Sequence, residues 1–497
     1  MKRILCLLIT SALLLTTFAG CSNSDTTANS NTETKGNTSS ESNSAEYETE
    51  AETEPDYLAH LAGKSFGDIE FRVLANGAGA GEWEGHEIEA EELTGDLIND
   101  AVYERNAMIR DNYGVNIVSV KSTGICTDDF RQAVKASSYD YDMGLVYANG
   151  AIPLSLEGGL YDLKALPNVQ LDAGYFDQNS NETLTLENHL YVSYGDMNMQ
   201  NIDLAWCVMF NKQIAADNAL PNMYEIVENG EWDFDTLATL SKNNLRDLDG
   251  DGQTTEADSL GLVTPYDRTC LAFMFGSDIE FLDKDENDSP VYSPVGDKVY
   301  TMYDKILALY KDDSCMNVYN VTNSWRGSEN MFMENRILFY VECMQNLSRF
   351  RDMEVDFGVL PMPKYDKAQE KYRSMVCDFA SATVIPSYCQ NTELAGFVLD
   401  ALNATSHDTV RYAYVEKALK YKNSRDEESL TSINIILDSM YYDPTYLYGW
   451  GGLTTTIGSL ATAQKDSLSS SLKRLENKMQ SSITKYLERY HEILEAN

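Results

Sequence analysis

Along residues 68–75 the apolar side chains Ile69, Phe71 and Val73 alternate with polar neighbours, the two-residue period of a strand with one buried face. From 96 to 113 the period changes: Leu97, Ala101, Met108 and Ile109 recur at helical spacing, and Gly114 supplies the stop. Strands at 115–120 and 143–147 then flank a second helix near 128–136. A strand, helix, strand order predicts a parallel sheet with right-handed crossovers, and in such sheets ligands bind beyond the carboxyl ends of the strands. Farther on, helical spacing recurs over 234–245, 298–310, 394–402 and 430–440, with apolar strand-like runs at 260–263 and 337–341. The last helix, 467–494, carries Leu468, Leu472, Leu475, Met479, Ile483, Tyr486, Tyr490 and Leu494 on one stripe. That stripe is expected to pack on the second half of the chain, with a coiled-coil partner as the alternative.

The amino-terminal pattern is of another kind. Lys2 and Arg3 precede an apolar run at 4–18, shorter than the roughly 20 residues of a membrane-spanning helix, which predicts a cleaved signal peptide over 1–20. Ala19-Gly20-Cys21 closing that run resembles the bacterial lipoprotein box, with Phe18 where Leu is usual. The resemblance implies a lipid-bearing Cys21 and a protein held at the extracellular face of the cell membrane. An ordinary secretion signal with Cys21 as a bystander is the alternative. Residues 21–55, rich in Ser, Thr, Asn and Glu, read as a disordered tether.

The remaining residues, about 440, exceed one hydrophobic core and suffice for two or three lobes. The 497-residue chain has a formal charge of −40, and loss of Lys2 and Arg3 with the leader makes it −42. Such a surface repels phosphate backbones, which excludes nucleic acid as a partner. Without Cys6 and Cys21, seven cysteines remain at unpaired spacings, so a disulfide framework is not expected.

Between the first strand and its helix lies Asn76-Gly77-Ala78-Gly79-Ala80-Gly81-Glu82-Trp83-Glu84-Gly85-His86. Its spacing fits no nucleotide fingerprint, and Glu82, Glu84, Glu87 and Glu89 would repel phosphate, so a mobile loop presenting Trp83 is expected. Asn149, just past the third strand, offers an amide to a neutral polar ligand.

Gly159-Leu160-Tyr161-Asp162-Leu163, His189-Leu190-Tyr191-Val192-Ser193-Tyr194-Gly195-Asp196, Trp206-Cys207-Val208-Met209-Phe210-Asn211-Lys212 and Phe357-Gly358-Val359-Leu360-Pro361-Met362-Pro363 follow in order. With Tyr448-Gly449-Trp450-Gly451-Gly452 they resemble the family 1 extracellular solute-binding proteins of bacterial ABC importers. The resemblance implies an α/β, two-lobed periplasmic-binding-protein-like fold of type II with a ligand cleft between the lobes. It places lobe 1 at 62–200 plus 328–378 and lobe 2 at 201–327 plus 379–497. Crossings between lobes are expected near 196–205, 323–335 and 377–385, and the strand at 337–341 is expected to return to lobe 1 with Glu342 facing the cleft.

Asp247-Leu248-Asp249-Gly250-Asp251-Gly252-Gln253-Thr254-Thr255-Glu256-Ala257-Asp258 carries carboxylates at loop positions one, three, five and twelve and glycine at six, the oxygen cage of an EF-hand-type calcium loop. Asp247, Asp249, Asp251 and Asp258 would bind through carboxylates, Gln253 through its carbonyl, and Thr255 directly or through water. A structural Ca2+ bracing the second lobe is expected; a metal-free Asx-rich turn is the alternative.

Aromatic faces that stack on sugar rings, bordered by Asp, Asn and Glu, would hold an uncharged polar ligand. The expected ligand-binding residues are Trp83, Asn149, Asp196, Asn198, Trp325, Glu342 and Trp450; Trp232 is expected to be structural. Taken with the resemblance, they point to a monomeric lipoprotein that captures a carbohydrate, most simply an oligosaccharide, and passes it unaltered to ABC permease subunits. The rival is a surface glycoside hydrolase using paired carboxylates. Among 78 acids some pair always stands at a suitable distance, so carboxylate abundance does not favour the enzyme. No His-Glu-x-x-His helix and no Gly-x-Ser-x-Gly elbow occurs.

Overall fold

Two separate sheets organise the computed structural model, which describes residues 57–293, 295–322, 326–415 and 427–496. The expected leader, the tether and Cys21 therefore lie outside the described residues. In the first sheet β1 (Ile69–Ala75) runs parallel to β2 (Val115–Lys121) and β3 (Met143–Tyr147), and β12 (Ser381–Val384) joins β3 antiparallel. The helix Leu97–Tyr113 forms as its termini dictate. Asp96 accepts the Ile98 and Asn99 amides at 3.0 and 3.2 Å, and Gly114 takes the left-handed conformation (φ 67°) that ends it.

The second sheet has the order β10 (Phe357–Leu360), β4 (Trp206–Asn211), β9 (Ile337–Cys343), β5 (Leu260–Thr264), β8 (Cys315–Asn317). β5 is parallel to both β8 and β9, while β4 is antiparallel to β9 and β10. Every residue of β4, β5 and β9 is buried, as expected of strands covered on both faces by helices. A small hairpin pairs β6 (Leu282–Lys284) with β7 (Pro290–Tyr292).

The strand at 337–343 corrects the sequence reading. It lies at the centre of the second sheet, so it does not return to the first lobe; β12 is the late strand that does. The expected crossing at 323–335 is likewise corrected, because the helix Gly327–Met333 leads into β9 of that same sheet. Three other segments lie side by side between the sheets. The Cys377 amide donates to the Leu204 carbonyl (3.1 Å), and Ala205 bridges Val376. β11 (Ser374–Met375) pairs in parallel with β13 (Met440–Tyr441), and the Val376 amide donates to the Tyr441 carbonyl (3.0 Å). Met440, expected within a helix, is thus a strand residue; the helix before it is Glu427–Asp438.

The last helix, Leu468–Ala496, reaches beyond the second lobe. It packs on the helix Asp297–Tyr310 and on β7, yet also on the helix Ala148–Leu156 of the first lobe. There Tyr486 and Ser155 share a hydrogen bond (3.3 Å), and His491 meets Glu187 at 2.7 Å. The seven cysteines of the described residues are free thiols, six of them buried, in line with the absence of paired spacings.

Candidate functional site

The carboxyl ends of β3 and β5 face a cavity of about 460 Å3 between the two sheets. From the first lobe, β3 passes directly into the helix Ala148–Leu156, which sets Asn149 at the cavity wall. From the second, β5 runs through Pro265 into the helix Tyr266–Gly276, placing Asp267, Arg268 and Leu271 opposite. Asp378 comes from a crossing segment, and Tyr446 and Tyr448 from the helix Pro444–Tyr448. That helix packs on Ala148–Leu156, and the next, Leu453–Thr462, packs on Tyr266–Gly276, so the stretch lines both lobes. Gly451 (φ 62°) permits the turn between these two helices; a Cβ there would stand 2.7 Å from the Met479 sulfur.

Asp378 is fully engaged. Its Oδ1 accepts the Tyr446 hydroxyl at 2.8 Å and its Oδ2 the Asn149 amide at 3.2 Å, a contact between crossing segment and first lobe. The Arg268 guanidinium lies 5.1 Å over the Phe379 ring, which packs edge-on against Tyr147 at 5.7 Å.

The lobes also touch through charge. Glu82, in the turn Ala78–Trp83 after β1, accepts from Arg326 at 2.8 Å and also from Arg349, both of the second lobe. Arg349 is held in turn by Glu329 (2.7 Å) and Asn346 (2.6 Å). The glycine-rich turn, expected to be mobile, is tied down: the Gly79 amide donates to the Thr123 carbonyl at 3.0 Å. Its glycines serve close backbone approach, since a Cβ on Gly77 would stand 1.7 Å from the Ser122 carbonyl oxygen.

Of the residues expected from sequence, Asn149 lines the cavity. Trp83 is half-buried and lines a separate small cavity with Glu82, Gln200 and Gln345, its carbonyl accepting from Asn76 and from Gln200, both at 3.0 Å. Asp196 lies elsewhere, paired with His407 (2.5 Å) and Arg411 (3.2 Å). Asn198 is buried and binds the Ser381 carbonyl and the Thr383 hydroxyl of β12, each at 3.1 Å. Trp450 is only 5 % exposed, stacked on Tyr448 at 4.5 Å with Tyr486 edge-on at 5.4 Å, so it backs the cavity instead of lining it. Trp325 lies outside the described residues. Trp232 is structural as expected, fully buried with its indole N–H on the Pro361 carbonyl at 2.8 Å.

Glu342, next to last in β9, is buried, with one oxygen accepting the Cys343 amide at 3.0 Å and the other without a partner. It is not among the residues lining the cavity. Burial pushes its pKa from 4.5 up to about 7. A carboxyl whose pKa is raised on folding stabilises fully below the unfolded value, and that contribution is lost as pH rises through the folded one. Glu342→Gln is therefore expected to leave stability unchanged near pH 4 and to raise it above pH 7, by on the order of 2–3 kcal/mol. Melting temperatures of both proteins across pH 4–8 check this; parallel profiles would refute it.

In the acidic loop, Asp247, Asp249 and Asp258 bring carboxylate oxygens within 4.8 Å of one another. Asp258 is buried and accepts the Leu248 and Thr255 amides at 3.0 and 2.7 Å. Asp251 stands outside that group and accepts the Gln253 amide at 2.7 Å. An all-oxygen donor set of this kind fits a hard cation such as Ca2+.

Sequence reasoning passed over Asp267, Arg268, Asp378 and Tyr446. The signal available was position: Pro265 directly after the apolar run of β5 marks a strand end of the kind where ligands sit.

No protein-family model matches the sequence, and no protein of curated function matches it either. Solved structures do. The cyclic α-maltosyl-1,6-maltose binding protein of Arthrobacter globiformis aligns over 84 % of this chain and 99 % of its own, with a TM-score of 0.57 at 12 % identity. The galacto-N-biose/lacto-N-biose I-binding protein of the ABC transporter of Bifidobacterium longum aligns over 85 % and 99 %, with a TM-score of 0.56 at 11 % identity. An ABC substrate-binding protein of Listeria monocytogenes in complex with cycloalternan aligns over 85 % and 99 %, at 0.52 and 10 %. The likeness establishes the fold as two-lobed α/β, of the type II periplasmic-binding-protein kind that the local sequence motifs imply.

Proposed function

We propose that this chain is a receptor that captures a carbohydrate, in the simplest case an oligosaccharide, between its two lobes and delivers it unaltered to the permease of an ABC importer. The observation that carries the reading is the cavity where β3 and β5 end, walled by Asn149, Asp267, Arg268, Asp378 and two tyrosines. Hydrogen-bonding groups beside aromatic rings suit a ligand that is polar on its edges and flat on its faces. Similarly folded proteins that bind cyclic α-maltosyl-1,6-maltose, lacto-N-biose and cycloalternan support it. They are binding proteins, and Glu342, the carboxyl with a pKa near 7, does not line the cavity, which disfavours the glycoside hydrolase. Lobe closure would follow from contacts made to both lobes at once, the differential affinity that any closure by ligand requires.

On this reading Cys21 carries lipid and holds a monomer at the outer face of the cell membrane by the tether 21–55. Release of the protein from membranes by Cys21→Ser would support the anchor; unchanged membrane association would refute it. A screen of melting temperature against neutral di- and trisaccharides tests the capture itself. A ligand at one hundred times its Kd adds about 2.7 kcal/mol, a plain upward shift. No shift with any sugar would refute it.

We also propose that the loop at 247–258 holds a structural Ca2+ through Asp247, Asp249 and Asp258, with the Gln253 carbonyl and Thr255 completing the set and Asp251 drawn in on binding. The metal would supply only bracing of the second lobe. Added calcium is expected to raise the melting temperature and chelator to lower it, and Asp247→Ala to abolish the difference. An identical melt with calcium and with chelator would remove the assignment.

A further inference from the structure

The helix Tyr266–Gly276 begins with two neighbouring residues of opposite charge that the fold leaves unused. Asp267 and Arg268 do not pair with each other, and among the described residues neither side chain makes a hydrogen bond or ion pair. One Asp267 oxygen is buried with no partner, and the Arg268 guanidinium lies over the face of Phe379 with its N–H donors unpaired. For Asp267 the position is at least favourable, since a helix N-terminus attracts negative charge. Arg268 is half-buried, and the charges of Asp378 and Asp267 lie close enough to favour its charged form, yet no carboxylate forms a direct ion pair with it, and it sits where the helix dipole repels a cation. Local rules are broken in this way chiefly where function requires it. Both residues line the cavity between the lobes.

We propose that Asp267 and Arg268 are the pair that reads two adjacent hydroxyls of an uncharged sugar, and that the same wall rejects sugar acids. The proposal rests on the carbohydrate reading of the cleft and names the ligand class and the residues that select it. A guanidinium can only donate and a carboxylate only accept, whereas neighbouring hydroxyls can accept with one oxygen and donate from the next. A diol thus satisfies both groups at once, each through a charge-assisted hydrogen bond. A ligand carboxylate could satisfy Arg268 alone. It would then stand near Asp267 and near Asp378, whose two oxygens are already taken by Tyr446 and Asn149 and which therefore remains a fixed negative charge. Two carboxylates against one guanidinium leave no net attraction for an anion.

The test is titration calorimetry of the full chain with the matched pair galactotriose and trigalacturonate, extended to maltotriose, cellotriose and lacto-N-biose. A neutral sugar is expected to bind, with trigalacturonate at least one hundredfold weaker than galactotriose or undetected. With the tightest neutral sugar, Arg268→Gln and Asp267→Asn are each expected to weaken binding at least tenfold. Arg268→Lys should recover part of the loss, because charge returns without the fork. The ligand-free melting temperatures of the variants should equal or exceed that of the unaltered protein. If a neutral sugar binds and both variants match the unaltered affinity, the pair is overturned and the carbohydrate reading stands. Preference for trigalacturonate overturns the neutral class. Failure of a variant to fold shows a structural role and also overturns the pair. If no sugar binds the unaltered chain, the carbohydrate reading falls and takes the pair with it.

Discussion

Replacing Trp450 with alanine is expected to destabilise the folded protein by about 3–5 kcal/mol, the range for emptying a buried large aromatic site. Trp450 is wedged between Tyr448 and Tyr486 at ring distances of 4.5 and 5.4 Å. Tyr486 belongs to the last helix and meets Ser155 of the first lobe, so the lost contacts loosen three elements together. Sugar affinity should fall as well, because Tyr448, whose ring Trp450 supports, lines the cavity. Trp450→Phe should retain much of the stability. Denaturant unfolding of the three proteins checks the ranking. A melt unchanged in Trp450→Ala, with affinity alone reduced, would mean that the indole faces the ligand after all.

Arg349→Ala is expected to lower stability by about 3–5 kcal/mol, because it abandons a buried charge. Glu329 is 5 % exposed, and Arg349 supplies its ion pair at 2.7 Å while also reaching Glu82 of the other lobe. Glu82→Gln separates the two roles. Its side chain is partly exposed, so the stability change should be within about 1 kcal/mol. It nevertheless removes a contact between the lobes. If that contact belongs to the closed arrangement alone, the closed population falls and sugar affinity falls with it. Unfolding curves for both variants decide the first claim, and Arg349→Ala with unaltered stability would refute it. Calorimetry on Glu82→Gln decides the second, where unaltered affinity would show that the clasp persists in the open form.

Much of the fold is legible in the chain because its signals are local. The alternation of Ile69, Phe71 and Val73, the cap at Asp96 and the stop at Gly114 each act within a few residues, and each element stands where it was expected. Sheet membership is not local. β9 is buried on both faces, so its sequence says that it is central without saying in which sheet, and only its pairing with β4 and β5 puts it in the second lobe. Trp450 misled for a related reason, since glycines beside an aromatic residue suit an open site and a tight turn alike. The turn proved tight, with Met479 packed over Gly451. Arg268 leaves almost no trace in sequence. A lone arginine early in a helix is unremarkable until the surrounding structure sets it in the cavity wall with no direct ion pair.

The claim on which the rest depends is that the chain binds a sugar in the cleft and does no chemistry on it. Titration calorimetry with the best neutral oligosaccharide, followed by recovery of that ligand for mass spectrometry, tests it most directly. Saturation at one sugar per chain, with the sugar recovered at its original mass and length, is the predicted result. Shorter saccharides in the recovered material would contradict the account.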